Sequence, residues 1–261
     1  MPIKRFQVDR LAVEVHETRA ALGLAAARVA SEKICDLLAR FGQASVIFAC
    51  AASQNEFLAA LRADPSIDWS GVTVFHMDEY VGLPADHSAS FRRYLREHLV
   101  DHVPVARFHE LGGDAPDPEA ECGRYQELLR QSPPGLVALG IGENGHLAFI
   151  DPAECDFSDS RDVCSVELDD VCRMQQVHDG AFAALDDVPR WALSLTVPVF
   201  LRTPRAVVCV PGTTKQCAVK RALEGPIQES CPASVLRQHS DASLFLDAGA
   251  AALIDGAFIN A

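Results

Sequence analysis

Short apolar runs and helix-like stretches alternate along most of this chain, and that alternation restricts the fold more than any single motif does. Strand-like runs cover residues 11–15, 45–49, 72–77, 136–140 and 206–210, with further ones at 163–168, 192–197 and 243–246. Helical patterns fall between them at 18–40, 53–62, 90–99, 118–129 and 214–223, and a closing helix is expected at 248–253. A βαβ rhythm of this kind packs helices on a mostly parallel sheet, which makes the expected class α/β. No repeat, low-complexity tract or long linker interrupts it, so a single domain over residues 1–261 is expected. Residues 155–178 are polar and irregular between β runs, and are read as a lid over a site.

Totals exclude several classes. The chain has 261 residues, 49% of them hydrophobic and 23% charged, ordinary proportions for a globular protein rather than a disordered one. Its net charge of −13 argues against a nucleic-acid partner, which needs a basic face. No apolar run reaches the ~18 residues of a membrane helix, and residues 1–7 lack the apolar stretch of a signal peptide. The expectation is a cytoplasmic protein with no membrane partner. Nine cysteines lie scattered, with no CxxC pair and no His/Cys cluster at zinc spacing, so reduced thiols and no metal are expected.

In open α/β sheets, ligands bind beyond the carboxyl ends of the strands. Four places put small or polar residues there. Ala51-Ala52-Ser53 precedes a helical pattern with Glu56 three residues after Ser53, which suits either a capping box or an anion site at a helix start. Asp78-Glu79 ends a strand run, and neighbouring strand side chains point to opposite sides. One carboxylate is therefore a candidate base and the other a structural partner, unless both sit in a solvated acidic turn. The run Gly140-Ile141-Gly142-Glu143-Asn144-Gly145-His146 spells G-x-G-x-x-G, but Pro152 follows and no amphipathic helix does, so a dinucleotide is not expected. His146 with Asp151 five residues on suits proton transfer, with a structural histidine as the plainer reading. Finally, Gly212-Thr213-Thr214-Lys215 suits a phosphate, or simply a surface lysine.

Taken together, these segments resemble the glucosamine-6-phosphate deaminase/isomerase family, which shares a superfamily with the 6-phosphogluconolactonases. The matching pieces are Met77-Asp78-Glu79-Tyr80-Val81-Gly82-Leu83-Pro84 and the stretch 140–152. Asp187-Val188-Pro189, Ala192-Leu193-Ser194-Leu195, the stretch 211–215 and Glu224-Gly225-Pro226 add to them in the family's order. The resemblance implies a Rossmann-like fold and conversion of glucosamine 6-phosphate, or a close hexosamine 6-phosphate, and water to fructose 6-phosphate, or the matching ketose, and ammonia. It implies no cofactor. By motif position Asp78 would be the base, His146 would open the sugar ring with help from Asp151, and Asn144 and Gly145 would complete that wall of the site. Lys215, Arg173 and the Ala51-Ala52-Ser53 turn would hold the phosphate.

Three positions depart from the family's usual pattern. Asn144 stands where Asp is common, Asp151 where Glu is usual, and Ala51-Ala52-Ser53 where Gly-Gly-Thr is usual. An amide can orient His146 but cannot accept a proton, so ring opening would rest on His146 and Asp151. Two other readings stay open: a 6-phosphogluconolactonase-type hydrolase, and a non-catalytic regulatory protein that binds a sugar phosphate. A homo-oligomer is also open, since the family varies in that respect.

Overall fold

The computed structural model describes residues 1–256. Chain order begins β1 (Lys4–Val8), β2 (Leu11–His16), α1 (Arg19–Phe41), β3 (Ala44–Phe48), α2 (Asn55–Arg62), β4 (Val72–His76) and β5 (Asp78–Tyr80). It continues with α3 (Phe91–His98), β6 (Arg107–His109), α4 (Pro118–Gln131), β7 (Leu136–Leu139), β8 (Val163–Glu167) and α5 (Asp170–His178). The last elements are β9 (Trp191–Leu195), α6 (Val197–Arg202), β10 (Ala206–Val210), α7 (Gln216–Glu224) and β11 (Ala242–Asp247). Eight strands form one sheet in the order β1-β2-β11-β10-β7-β3-β4-β6, and every pairing but β1–β2 is parallel. The expected class, α/β with a mostly parallel sheet flanked by helices, is what the chain adopts.

Strand periodicity builds two cores, one on each face. Val46 and Phe48 of β3 join the cluster under α1 and α2 with Ala26, Ile34 and Leu58, while Ile47 between them joins the opposite cluster with Phe75 and Val137. Strands buried on both faces are what parallel sheets require. Helix α1 starts at Thr18, whose hydroxyl accepts the Ala21 N–H at 3.2 Å, and stops at Gly42, which takes the left-handed conformation at φ 70°. No helix among the described residues is long and apolar enough to cross a membrane.

A second, antiparallel sheet of β5, β9 and β8 covers one side of the strand ends, with Asp78 opposite Ser194 in register. The chain breaks at Met77, so the apolar run read as 72–77 supplies β4 alone, and Asp78 just beyond it opens β5 in the other sheet. Three other readings need correction. Residues 248–253 form turns rather than a helix: after Asp247 takes the N–H groups of Ala250 and Ala251, the next bonds span only three residues, from Ala252 to Gly249 and from Ile254 to Ala251. Ser53 lies in a 3-10 turn over Ala52–Gln54 and caps nothing; Glu56 instead pairs with Arg19. The segment read as irregular contains helix α5, capped by Asp169 through the Cys172 N–H at 2.6 Å.

Candidate active site

Strands β3, β4, β7 and β10 end side by side, and their following loops enclose a cavity of about 320 Å³. All four sequence segments reach it: Ala51 to Gln54, Asp78, Gly140 to Gly142 with His146, and Pro211 to Lys215. Helix α5 closes one side with Gln175 and Gln176.

Asp78 and Glu79 divide as strand geometry requires. Glu79 is fully buried and faces away from the cavity, where its carboxylate accepts the N–H groups of Phe91 and Arg92, the Ser90 hydroxyl at 2.8 Å and Arg92 Nε at 3.2 Å. It thereby serves as the N-terminal cap that α3 lacks from its own residues. Asp78 lines the cavity, and its buried Oδ1 has no hydrogen-bond partner. Burial first, and then the negative charge of Glu79, push its carboxyl well above the usual carboxylate range. Its backbone is pinned from below by His76, whose Nε2 accepts the Leu111 N–H at 2.8 Å, leaving Nδ1–H to donate to the Asp78 carbonyl at 2.9 Å. Burial holds the His76 pKa at about 3, so this imidazole is a neutral strut.

Facing Asp78 is the loop after β7. His146 is buried and its Nδ1 lies 3.1 Å from Asp151 Oδ1. Burial pushes the Asp151 carboxyl up, but contact with His146, the Asn144 amide and the Asp169 N–H outweighs it, and the net shift is downward. An ionised Asp151 fixes the donor at Nδ1 and leaves Nε2 as the lone-pair nitrogen. The imidazole lies directly against Gly142, where an added Cβ would overlap the ring. Ala148 sustains φ 52° beside the cavity, a conformation that L-residues with a Cβ rarely adopt. Asn144 does not reach the cavity. Its Nδ2 donates to Asp151 Oδ1 at 2.8 Å and Asp169 Oδ2 at 3.1 Å, and its Oδ1 accepts the His146 N–H at 3.0 Å. Gly145 also lies outside the cavity, against Cys231 and Arg221.

His146, Asp151 and Cys172 offer ligand atoms within 4.8 Å of one another. However, both Asp151 oxygens already accept hydrogen bonds, from His146, Asn144 and the Asp169 N–H, so proton transfer describes this cluster better than metal binding does.

Another part of the cavity wall carries a lysine and hydroxyl groups, chemistry that suits an anion. Lys215 is only 6% exposed, and among the described residues its ammonium makes no hydrogen bond or ion pair. Burial lowers its pKa, against the pull of Asp179 and Glu143. Thr213, Thr214 and Ser53 line the wall beside it, as does Gln54, whose buried Oε1 is unpartnered. Arg173 does not join them: its guanidinium is spent on Asp170 at 2.8 Å and on the carbonyls of Leu185 and Val188, fixing the 185–188 turn to α5. The arginine that does line the cavity is Arg19, at the start of α1, held by Glu56 and the Ala52 carbonyl. Sequence reasoning missed it although it follows directly on β2, a strand that ends at this same edge. Nothing in the sequence marked Asp169, Gln175 or Gln176.

The sequence model of the family described as glucosamine-6-phosphate isomerases/6-phosphogluconolactonase matches residues 17–245. A glucosamine-6-phosphate deaminase of Listeria monocytogenes is 33% identical over 213 residues, 82% of this chain and 89% of its own length. One from Lacticaseibacillus paracasei is 35% identical over 187 residues, 71% and 76% of the two chains. Among solved structures, a monomeric glucosamine-6-phosphate deaminase superposes with a TM-score of 0.85 at 29% identity, covering 92% of this chain and 99% of that one. A 6-phosphogluconolactonase from Trypanosoma brucei shares the fold, with a TM-score of 0.78 at 19% identity over 95% of this chain and 100% of its own.

Proposed function

This chain belongs to the glucosamine-6-phosphate isomerase/6-phosphogluconolactonase family and is a glucosamine-6-phosphate deaminase-like enzyme, and from that premise we propose the reaction and the residues that carry it. The substrate is glucosamine 6-phosphate or a close hexosamine 6-phosphate. The products are fructose 6-phosphate, or the matching ketose phosphate, and ammonia.

One observation carries the reading: a buried carboxylate with an unpartnered oxygen and a histidine with its own carboxylate line the same cavity. With the phosphate held by Lys215, Thr213, Thr214, Ser53 and Arg19, the sugar extends toward Asp78 and His146. Nε2 of His146 exchanges the proton needed to open the ring, while Asp151 stabilises the charged imidazole. Asp78 takes the C2 proton of the open-chain aldehyde while O1 takes one from the C2 ammonium, giving an enol that still carries nitrogen at C2. Return of the proton to C1 leaves a C2 imine, to which water adds as ammonia departs. The desolvation that raises the Asp78 pKa strengthens it as a base toward a carbon acid. A phosphorylated sugar does not cross membranes, which supports action in the cytoplasm.

Ammonia and fructose 6-phosphate should both form when purified protein meets glucosamine 6-phosphate. If no hexosamine 6-phosphate is turned over, the proposal fails. Hydrolysis of 6-phosphogluconolactone without ammonia release would favour the lactonase reading instead.

A further inference from the structure

The hydrogen bonds behind His146 lead to a residue outside the cavity. Asn144 bridges two carboxylates through one nitrogen, at 2.8 Å to Asp151 and 3.1 Å to Asp169. Asp169 closes the circuit from its own backbone, donating its N–H to Asp151 Oδ2 at 3.1 Å. Its other carboxylate oxygen caps α5 at the Cys172 N–H. Each oxygen of Asp151 is therefore held by a donor that depends on residue 144 or 169, and Asp169 is anchored in the helix that supplies Gln175 and Gln176 to the cavity.

We infer that Asp169 is a positioning residue, which holds Asn144, and through it Asp151 and His146, in working geometry against helix α5. The inference rests on the proposed role of His146. Its chemical core is the matching of an amide to two carboxylates. A carboxylate in place of the Asn144 amide would set three carboxylates together with no side-chain donor among the three, which favours binding a proton. The other charged or ionisable groups facing it are His146, Cys172 and Arg221, the last donating to the Asn144 carbonyl at 2.7 Å. None of them supplies the missing donor between residues 144 and 169. In this chain the amide at 144 and the carboxylate at 169 act as one unit.

Three variants test it: Asp169→Asn, Asn144→Asp and the double exchange. Asp169→Asn keeps an oxygen to cap α5, so the helix persists, but it turns an amide against the amide of Asn144. Each single variant should lose at least tenfold in kcat with KM changed less than threefold, and Asn144→Asp should also move the acidic limb of the kcat–pH profile upward. The double exchange restores a donor–acceptor pair between 144 and 169 and should regain at least tenfold over Asn144→Asp. Its recovery is partial, because the carboxylate introduced at position 144 still meets Asp151. Losses that simply multiply in the double variant, or single variants within twofold of wild type, overturn the inference.

Ring ¹⁵N shifts of His146 give a readout that needs no substrate. Protonation at Nδ1 is expected in the wild type and the double exchange, with mixed tautomers in each single variant. Unchanged tautomers in the singles would also defeat the inference. Absence of turnover by the wild type would instead defeat the activity reading and leave this second measurement decisive.

Discussion

Asp78 and Glu79 are neighbours of the same charge type in almost equally buried places, yet their surroundings set them apart. Glu79 is buried among hydrogen-bond donors, an arginine included, whereas Asp78 is buried with an oxygen that nothing satisfies. A buried acceptor without a partner costs about 1–3 kcal/mol, and such a cost concentrates where function requires it. The sign of its pH dependence follows from linkage. With its folded-state pKa raised above the unfolded value, Asp78 favours the folded state when protonated, and that contribution is lost as pH rises from the unfolded value through the raised folded one. With Asp78 as the proposed base, activity runs the other way, since that base must be ionised, and it should fall as pH drops through the same raised pKa. Asp78→Asn should therefore abolish turnover while leaving stability at neutral pH unchanged or higher. Thermal melts at pH 5 and pH 8 beside an ammonia assay check both halves. A destabilised Asn variant would show that the carboxylate has a structural role in addition.

Helix α5 is the element on which the site turns. One face presents Gln175 and Gln176 to the cavity, its start is tied to Asp151 through Asp169, and Arg173 fastens the 185–188 turn to it. The opposite face leaves Val171 and Met174 exposed, so few contacts hold the helix from outside. We propose that the 155–178 segment closes as a lid when substrate binds, drawing on α5 for its cavity-facing amides. Segments that close over ligands come from the less stable parts of a fold. Limited proteolysis should cut within this segment in the free protein and do so several-fold more slowly with fructose 6-phosphate present. Equal cleavage rates would count against closure.

At the scale of the whole molecule, Lys215 links the proposed anion site to stability. Burial lowers its pKa, so the neutral amine favours the folded state, and that contribution is lost as pH falls from the unfolded-state value through the lowered folded one. In the proposed site, the substrate's phosphate would supply the countercharge that the protein leaves out. Fructose 6-phosphate at a hundred times its Kd should stabilise the wild type by about 2.7 kcal/mol. In Lys215→Ala that ligand-dependent shift should collapse, while the melting temperature without ligand holds or rises. A ligand shift that survives in the variant would mean that Arg19 and the loop N–H groups suffice for the anion.

The alternation of strand and helix patterns by itself determined the class of fold and the edge at which the four polar segments converge, because burial on both faces of a parallel sheet leaves little freedom in how such a chain is layered. Period-two geometry likewise separated Asp78 from Glu79, since adjacent strand residues cannot face the same way. Only the tertiary structure decided which arginine meets the cavity. Arg173 sits in a helix whose orientation is set by the 185–188 turn, and Arg19 reaches the site because β2 pairs with β11 more than two hundred residues later in the chain. The same holds for Asp169 behind Asn144, and for the turns at 248–253, where the carboxylate of Asp247 also holds the Gly212 N–H. Hydrophobic period is written locally and survives being read one residue at a time. The direction of a polar side chain is fixed by partners that folding brings from elsewhere, and no local pattern encodes them.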